Sequence, residues 1–291
     1  MNATGSDFLI GIDGGGTGCR VAIARAGGGV IARAEAGPAN ATSDLRACVA
    51  NVRMALEQAL VSAGLTLAQV AGAPAHAGLA GVISAEVGTA VAQALPLSNL
   101  SVTEDRETMV AGALGGRDGA LAAIGTGSFV AAQRGDVMHG VGGWGWQLSD
   151  EASGAWLGQA ALRRALAARD GMAEQSDLLA ALLDDMGGAL GIVAFAGRAG
   201  PAEYAALAPR VVAAALADDA AAVALIRTGA DWITRALVAV GHRDGDPLCL
   251  TGGLGPRYAA YLPPDLTRGL VEPVGTALDG ALLLARQRAG S

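Results

Sequence analysis

The chain is 291 residues long, has a formal net charge of −7 and contains 44 glycines. That length accommodates two domains of about 100–150 residues each, and the negative balance leaves no clustered Lys/Arg footprint for nucleic acid. All 20 basic residues are arginine, which excludes a Walker-type P-loop, a protein-kinase strand lysine and Schiff-base chemistry, since each is built on lysine.

The first informative stretch is Phe8 to Arg20, FLIGIDGGGTGCR. An apolar run ends in Asp13, passes through Gly14, Gly15, Gly16 and Thr17, and re-enters apolar sequence at Val21. This predicts strand, tight turn, strand, with strand-like runs at 8–13, 19–26 and 29–36. Glycines let the main chain approach an anion closely and adopt φ > 0 conformations that expose successive amides. A strand follows the turn where a Rossmann dinucleotide fingerprint needs a helix. Asp13 reads either as an acidic group orienting Mg²⁺ through water or as a turn Asp bonding its own backbone. Arg20 either reaches phosphate or is solvated.

Residues 43–64 follow with Leu45, Val49, Val52, Leu56 and Leu60 at helical spacing. Ser43 and Asp44 are candidate caps and Gly64 a candidate stop. Asn40, in a Gly-Pro-Ala-Asn loop just before, is a turn residue or a ligand contact. Strands are predicted at 73–79 and 99–104, separated by a helix near 84–94. The resulting βββαβαβα order is a mixed sheet flanked by helices. Asp105 opens a helix running towards Ala113. A strand-end carboxylate there suits a general base, Asp also prefers the N-cap, and Glu104 competes for the role because boundaries slip by two residues or more.

The plan restarts near Gly119. Leu121 to Val130 again reads apolar strand, a turn of Gly125, Thr126, Gly127 and Ser128, and apolar strand. Gly140 to Gly158 holds three of the chain's four tryptophans. In it, a glycine-rich loop, indole faces and the carboxylate of Asp150 offer close backbone approach, an apolar packing surface and an acceptor to a polar ligand. Trp146 is also readable as core or hinge packing and Asp150 as an N-cap, while Trp156, at helical spacing with Leu157 and Ala160, reads as packing. A helical insert is expected over about 150–242, then strands at 247–251 and 268–272 and a last helix over 275–289. A third glycine turn, with Gly252 and Gly253, follows the strand at 247–251. Gly275 to Ala281 starts the last helix with small residues.

Four such elements in this order resemble the actin-like ATPase and sugar-kinase superfamily. Within it the pattern is most similar to the N-acetylglucosamine and glucosamine kinases and the related BadF/BadG/BcrA/BcrD ATPases, over nearly the whole chain. The resemblance implies an α/β fold of two actin-like (ribonuclease H-like) lobes, each a mixed sheet flanked by helices, with the insert in the second. The first lobe would span 1–115, completed by 275–291, and the second 116–274. It implies ATP bound by Gly14, Gly15, Gly16, Thr17, Gly125, Thr126, Gly127, Ser128, Gly252 and Gly253, with Mg²⁺ near Asp13. Asp105 would be the catalytic base, and Asn40, Asp105, Gly143, Trp144, Gly145 and Asp150 the sugar contacts. The substrate would be the 6-hydroxyl of N-acetyl-D-glucosamine or D-glucosamine, and the sequence does not choose between them. Dimers are common in that family, so a homodimer is a partner to expect. Ala152 replaces a glycine found in many relatives and is expected to stiffen a helix start.

Two rivals share the nucleotide motifs: a BadF/BcrA-type ATPase that energises a redox partner, and a sugar-binding pseudo-kinase. The former binds an iron–sulfur cluster through cysteines, and Cys48 and Cys249 lack suitable neighbours. The three cysteines, Cys19, Cys48 and Cys249, are odd in number and far apart, which argues against a disulfide framework or a zinc site. A sugar-responsive repressor would need a DNA-binding motif ahead of Phe8, where only seven residues stand. His76, His139 and His242 are isolated and read as structural. No run of about 18 apolar residues occurs, and the first residues lack the basic and apolar regions of a signal peptide. The expectation is a soluble cytoplasmic protein with neither membrane nor nucleic-acid partner.

Overall fold

The computed structural model describes residues 7–135 and 137–290. The chain divides into two compact units, Met1–Arg117 with Pro273–Ser291, and Asp118–Glu272.

The sheet of the first unit has the order β3-β2-β1-β4-β5, built from β1 (Phe8–Gly14), β2 (Cys19–Arg25), β3 (Val30–Ala36), β4 (Ala75–Leu79) and β5 (Leu100–Glu104). β1, β2 and β3 are an antiparallel meander, whereas β4 and β5 join β1 in parallel. Strand alternation sends Phe8, Ile10, Ile12, Val21 and Ile23 to one face, where they pack against Cys48, Val52 and Leu56 of α1 (Leu45–Ala63). Leu9, Ala22 and Ala24 turn to the other face and meet Leu278 and Leu282 of the last helix. α1 begins as its sequence predicts, with the Asp44 carboxylate accepting the Ala47 N–H at 2.9 Å, and it stops at Gly64 in the left-handed region. α2 (Leu67–Val70) is a single turn that hydrophobic periodicity does not mark, being too short. α3 (Ala85–Ala94) packs beside β5, and α4 (Asp105–Leu114) follows β5 directly.

The second unit repeats the meander with β6 (Gly119–Ile124), β7 (Ser128–Arg134) and β8 (Val137–Gly142), and β9 (Leu248–Thr251) pairs parallel to β6. Every residue of β6 is buried, as expected of a strand covered on both faces. Between β8 and β9 the chain forms α5 (Gly154–Arg169), α6 (Asp177–Asp185), α7 (Gly188–Ala196), α8 (Pro201–Ala205), α9 (Ala208–Leu216) and α10 (Ala220–Ala239). These helices build one core with the sheet through Val130, Leu157, Leu162, Ile226 and Ile233. α11 (Gly255–Tyr258) and α12 (Pro264–Thr267) lead towards α13 (Ala277–Ala289).

The strand expected at 268–272 does not form. Leu270 makes only a lone bridge to Leu248, with two backbone hydrogen bonds of 2.9 and 3.0 Å. Pro273 follows and has no N–H to extend a ladder. Among the described residues no single helix is long and apolar enough to cross a membrane.

Candidate functional site

In the first unit the parallel strands end level with one another: Gly14 pairs with Leu79, and Leu79 with Glu104. Carboxyl ends of parallel strands are where open α/β sheets bind ligands. A cavity of about 590 Å³ opens there, lined among others by Asp13, Gly14, Gly15, Thr17, Arg20 and Asp105. The Gly15 N–H donates to the Gly18 carbonyl at 2.9 Å and closes the turn. A Cβ on Gly14 would lie 2.9 Å from that of Ala39, whereas Gly15 and Gly16 have open space on that side. None of the glycines from 14 to 18 is left-handed. The expected φ > 0 conformation is therefore absent; Gly15 and Gly16 supply bare, uncrowded backbone, whereas Gly14 is glycine because a side chain would not fit.

Asp13 stands opposite Arg20 across the β1–β2 ladder. The guanidinium lies 3.3 Å from the Asp13 carboxylate and 3.4 Å from that of Glu35, so Arg20 is paired and part of the cavity wall. Burial pushes the Asp13 carboxyl up from its ordinary range, and Arg20 pulls it partly back. Asp105 is the first residue of α4. Burial, followed by the like charge of Glu104, raises it to about 6, with Arg106 opposing and Asp13 adding to the rise. Glu104 ends β5 and holds Arg106 at 2.6 Å. Of the two neighbouring carboxylates, the fold brings Asp105 to the cavity and commits Glu104 to an ion pair.

Asn40 lies beside this edge, bridging to Ala80. Its side-chain oxygen accepts the N–H groups of Thr42 and Ser43 at 3.0 Å each, an Asx turn that leaves the amide nitrogen as its remaining donor. The sequence also names Thr276 only as part of a helix start. It caps α13 through a mutual box with Asp279, and both line the cavity. The Thr-x-x-Asp spacing is the signal that marks that box.

In the second unit three predicted elements meet at one sheet edge. The Gly125 N–H donates to the Gly127 carbonyl at 2.9 Å, and Gly154 and Ala155, at the start of α5, donate to the carbonyls of Gly125 and Thr126. Gly252 is left-handed at φ 79°, and a Cβ there would lie 3.0 Å from the Gly125 nitrogen. A Cβ on Gly127 would come within 2.8 Å of the Asp150 carboxylate. Thr126 is exposed, as are Gly252 and Gly253. Ser128 is not presented as expected: it is buried, and its hydroxyl donates to the Glu151 carbonyl at 2.6 Å.

Gly143 and Gly145 are left-handed and exposed, with Trp144 between them 73 % exposed. Trp146 instead packs into the helical core, 5.8 Å from Tyr204, and Trp156 packs there too. Asp150 is buried and left-handed, and the N-cap of α5 is Ser153. Ala152 precedes the helix in the left-handed region at φ 67°. It is thus strained, and does not stiffen a helix start.

The histidines are structural where buried. His76 lies 3.0 Å from the Thr103 hydroxyl and is lowered to about 4 by burial, and His242 approaches the Leu266 carbonyl at 3.2 Å. Among the described residues no group of three or more His, Cys, Asp or Glu could cage a metal ion.

The sequence model of the BadF/BadG/BcrA/BcrD ATPase family matches residues 10–275. The chain belongs to this family. Among proteins similar to this family member is the glucosamine kinase GspK of Vibrio cholerae, 30 % identical over 281 residues, covering 96 % of each chain. A solved structure from Chromobacterium violaceum, provisionally assigned as an N-acetylglucosamine kinase, is 38 % identical with a TM-score of 0.83, covering 97 % of this chain and 99 % of that one. A Streptomyces griseus ROK family glucokinase, solved with glucose and AMPPNP, is 18 % identical with a TM-score of 0.57, covering 96 % and 99 %. It shares the fold. ATP use and the two-sheet α/β architecture are thus properties of the family to which this ATPase relative belongs.

Proposed function

We propose that this chain is an ATP-dependent amino-sugar kinase that phosphorylates the 6-hydroxyl of N-acetyl-D-glucosamine or D-glucosamine. The observation that carries the reading is Asp105, which faces the same cavity as Asp13, Arg20 and the bare glycine turn and is raised to about 6. A base poised near neutrality suits abstraction of a hydroxyl proton. The full-length likeness to a glucosamine kinase gives the substrate class.

Asp105 takes the proton from the sugar hydroxyl as that oxygen bonds to the γ-phosphorus, while the bond from the γ-phosphorus to the bridging oxygen of the β-phosphate breaks and ADP leaves. The turn at Gly14, Gly15, Gly16 and Thr17 holds phosphate oxygens through the amides it does not use itself, the Gly15 N–H being spent on Gly18, and the turn at Gly125, Thr126 and Gly127 does the same with the Gly125 N–H spent on Gly127. Gly252 and Gly253 form the nucleotide turn beside it. Gly143, Trp144, Gly145, Asp150 and Asn40 serve the sugar. Carboxylates that line the cavity without forming a three-ligand cage among the described residues fit Mg²⁺, which keeps several waters and takes its remaining ligands from substrate phosphates. Asp13 would hold the ion. Bound there, Mg²⁺ neutralises phosphate charge. The three cysteines are free and buried, which weighs against an activator that binds an iron–sulfur cluster through them.

The test is ADP release measured with N-acetylglucosamine, glucosamine, glucose and N-acetylmannosamine. One of the first two should dominate by kcat/KM. Release independent of every sugar would sink the kinase reading and favour a plain ATPase.

A further inference from the structure

α4 begins without a side-chain cap, because the Glu104 carboxylate bonds none of its amides. The first turn, which bears Asp105, is held by its continuity with β5, by the Arg106–Glu104 pair and by contacts further along the helix. Thr108 supplies the last of these. It is fully buried, and its hydroxyl donates to the Asp105 carbonyl at 2.8 Å. Its side chain fills a notch at Gly78 of β4, where a Cβ would lie 2.5 Å from Thr108 Cγ2 and 2.8 Å from its Cβ. Its carbonyl faces Gly280 of α13, where an added Cβ would overlap it. Gly78 is in turn the ladder partner of Asp13 on one side and Thr103 on the other. Thr108 thus joins the helix that starts with Asp105 to the strand row that contains Asp13.

We infer that Thr108, seated in the Gly78 notch, is a positioning residue for Asp105. The inference rests on the reading of Asp105 as the base. The hydroxyl fixes the carbonyl of the reactive residue itself, and the methyl fixes the distance of the helix from the sheet. A displacement of about 1 Å at a reacting group costs on the order of 10²-fold in rate, so a small shift of this turn is felt in turnover before it is felt in binding.

Thr108→Val keeps the volume and removes the bond, whereas Thr108→Ser keeps the bond. In Thr108→Val, kcat should fall by about 5- to 50-fold with both KM values within about twofold, and Thr108→Ser should recover to within about threefold of the parent. Because Thr108 acts through Asp105, Thr108→Val should cost less than about twofold in an Asp105→Asn background. If Val is not tolerated in the fold, Thr108→Ala against Thr108→Ser makes the same comparison, since the two differ only in the hydroxyl. Unchanged kcat in Thr108→Val, or an equal loss with and without Asp105, overturns the positioning role while leaving the base intact. Undiminished turnover in Asp105→Asn alone overturns the base, and the positioning role with it.

Discussion

In the proposed reading Asp105 is asked to be a base and to be buried, and the two demands conflict in energy. A carboxyl raised from 3.8 to about 6 carries up to about 3 kcal/mol of penalty on its ionised form. The sign is that of a raised folded-state pKa. Stability is fully present below the unfolded value near 3.8 and is lost as pH rises through about 6. Asp105→Asn keeps the shape and removes the charge, so it should melt at a higher temperature than the parent at pH 8 and at the same temperature near pH 3.5. The same variant should lose about 10²–10⁴-fold in turnover, the usual worth of general-base catalysis. Glu104→Gln is the control. Its carboxylate is committed to Arg106 at 2.6 Å, and if it abolished turnover while Asp105→Asn did not, the roles would have to be exchanged. For the parent enzyme, kcat/KM should rise with pH through about 6 and then level, as Asp105 loses its proton.

At the scale of elements, the glycine turns differ in what glycine does for each. Gly252 is left-handed, and a Cβ there would overlap the Ile124 carbonyl, which is strand backbone and cannot yield. Gly253, next to it, has open space and ordinary φ. Gly252→Ala should therefore cost at least about 2 kcal/mol and weaken nucleotide binding, whereas Gly253→Ala should leave the melting temperature unchanged or slightly raised. Equal melting curves for the two would refute this division. Ala152 offers a balanced case: left-handed φ costs about 1 kcal/mol, and its buried methyl contributes about 0.8. Ala152→Gly should stay within about 0.5 kcal/mol of the parent. The sequence made the strand–turn–strand repeats, the α1 caps and the strand–helix junction at Asp105 legible, because strand period, cap chemistry and glycine runs are local signals. Four things were not legible. The strand expected at 268–272 depends on where Pro273 falls against a partner ladder. Ser128 looks like a phosphate hydroxyl until the loop at Glu151 folds onto it. Trp146 and Trp144 differ in exposure although two residues apart, because only tertiary packing tells a core face from an exposed one. The glycines from 14 to 18 work by lacking side chains, and their φ values could not be read from their identity.

For the whole molecule, the lack of lysine and the acidic balance meet in the cavity of the first unit. Its charged lining is two arginines, Arg20 and Arg33, against four carboxylates, Asp13, Glu35, Asp105 and Asp279. Both arginines are already paired: Arg20 lies within 3.4 Å of Asp13 and Glu35, and Arg33 lies 3.4 Å from Asp279. Exposed pairs of this kind hold little energy each, but together they leave the wall with no surplus positive charge to offer a triphosphate. Backbone amides contribute partial charges only. On the proposed reading, in which a triphosphate binds here, a divalent ion is expected to supply most of the neutralisation, and its effect should appear in binding as well as in turnover. ADP affinity, measured by calorimetry, should rise at least about tenfold on adding Mg²⁺, and metal-free affinity should improve with ionic strength as like-charge repulsion is screened. Asp13→Ala should remove most of the Mg²⁺ enhancement and most of the turnover, while leaving weak metal-free ADP binding intact or improved, because one repelling carboxylate is gone. Full turnover in excess chelator, or equal ADP affinity with and without the ion, would show that the amides and arginines suffice and that Asp13 serves only the turn.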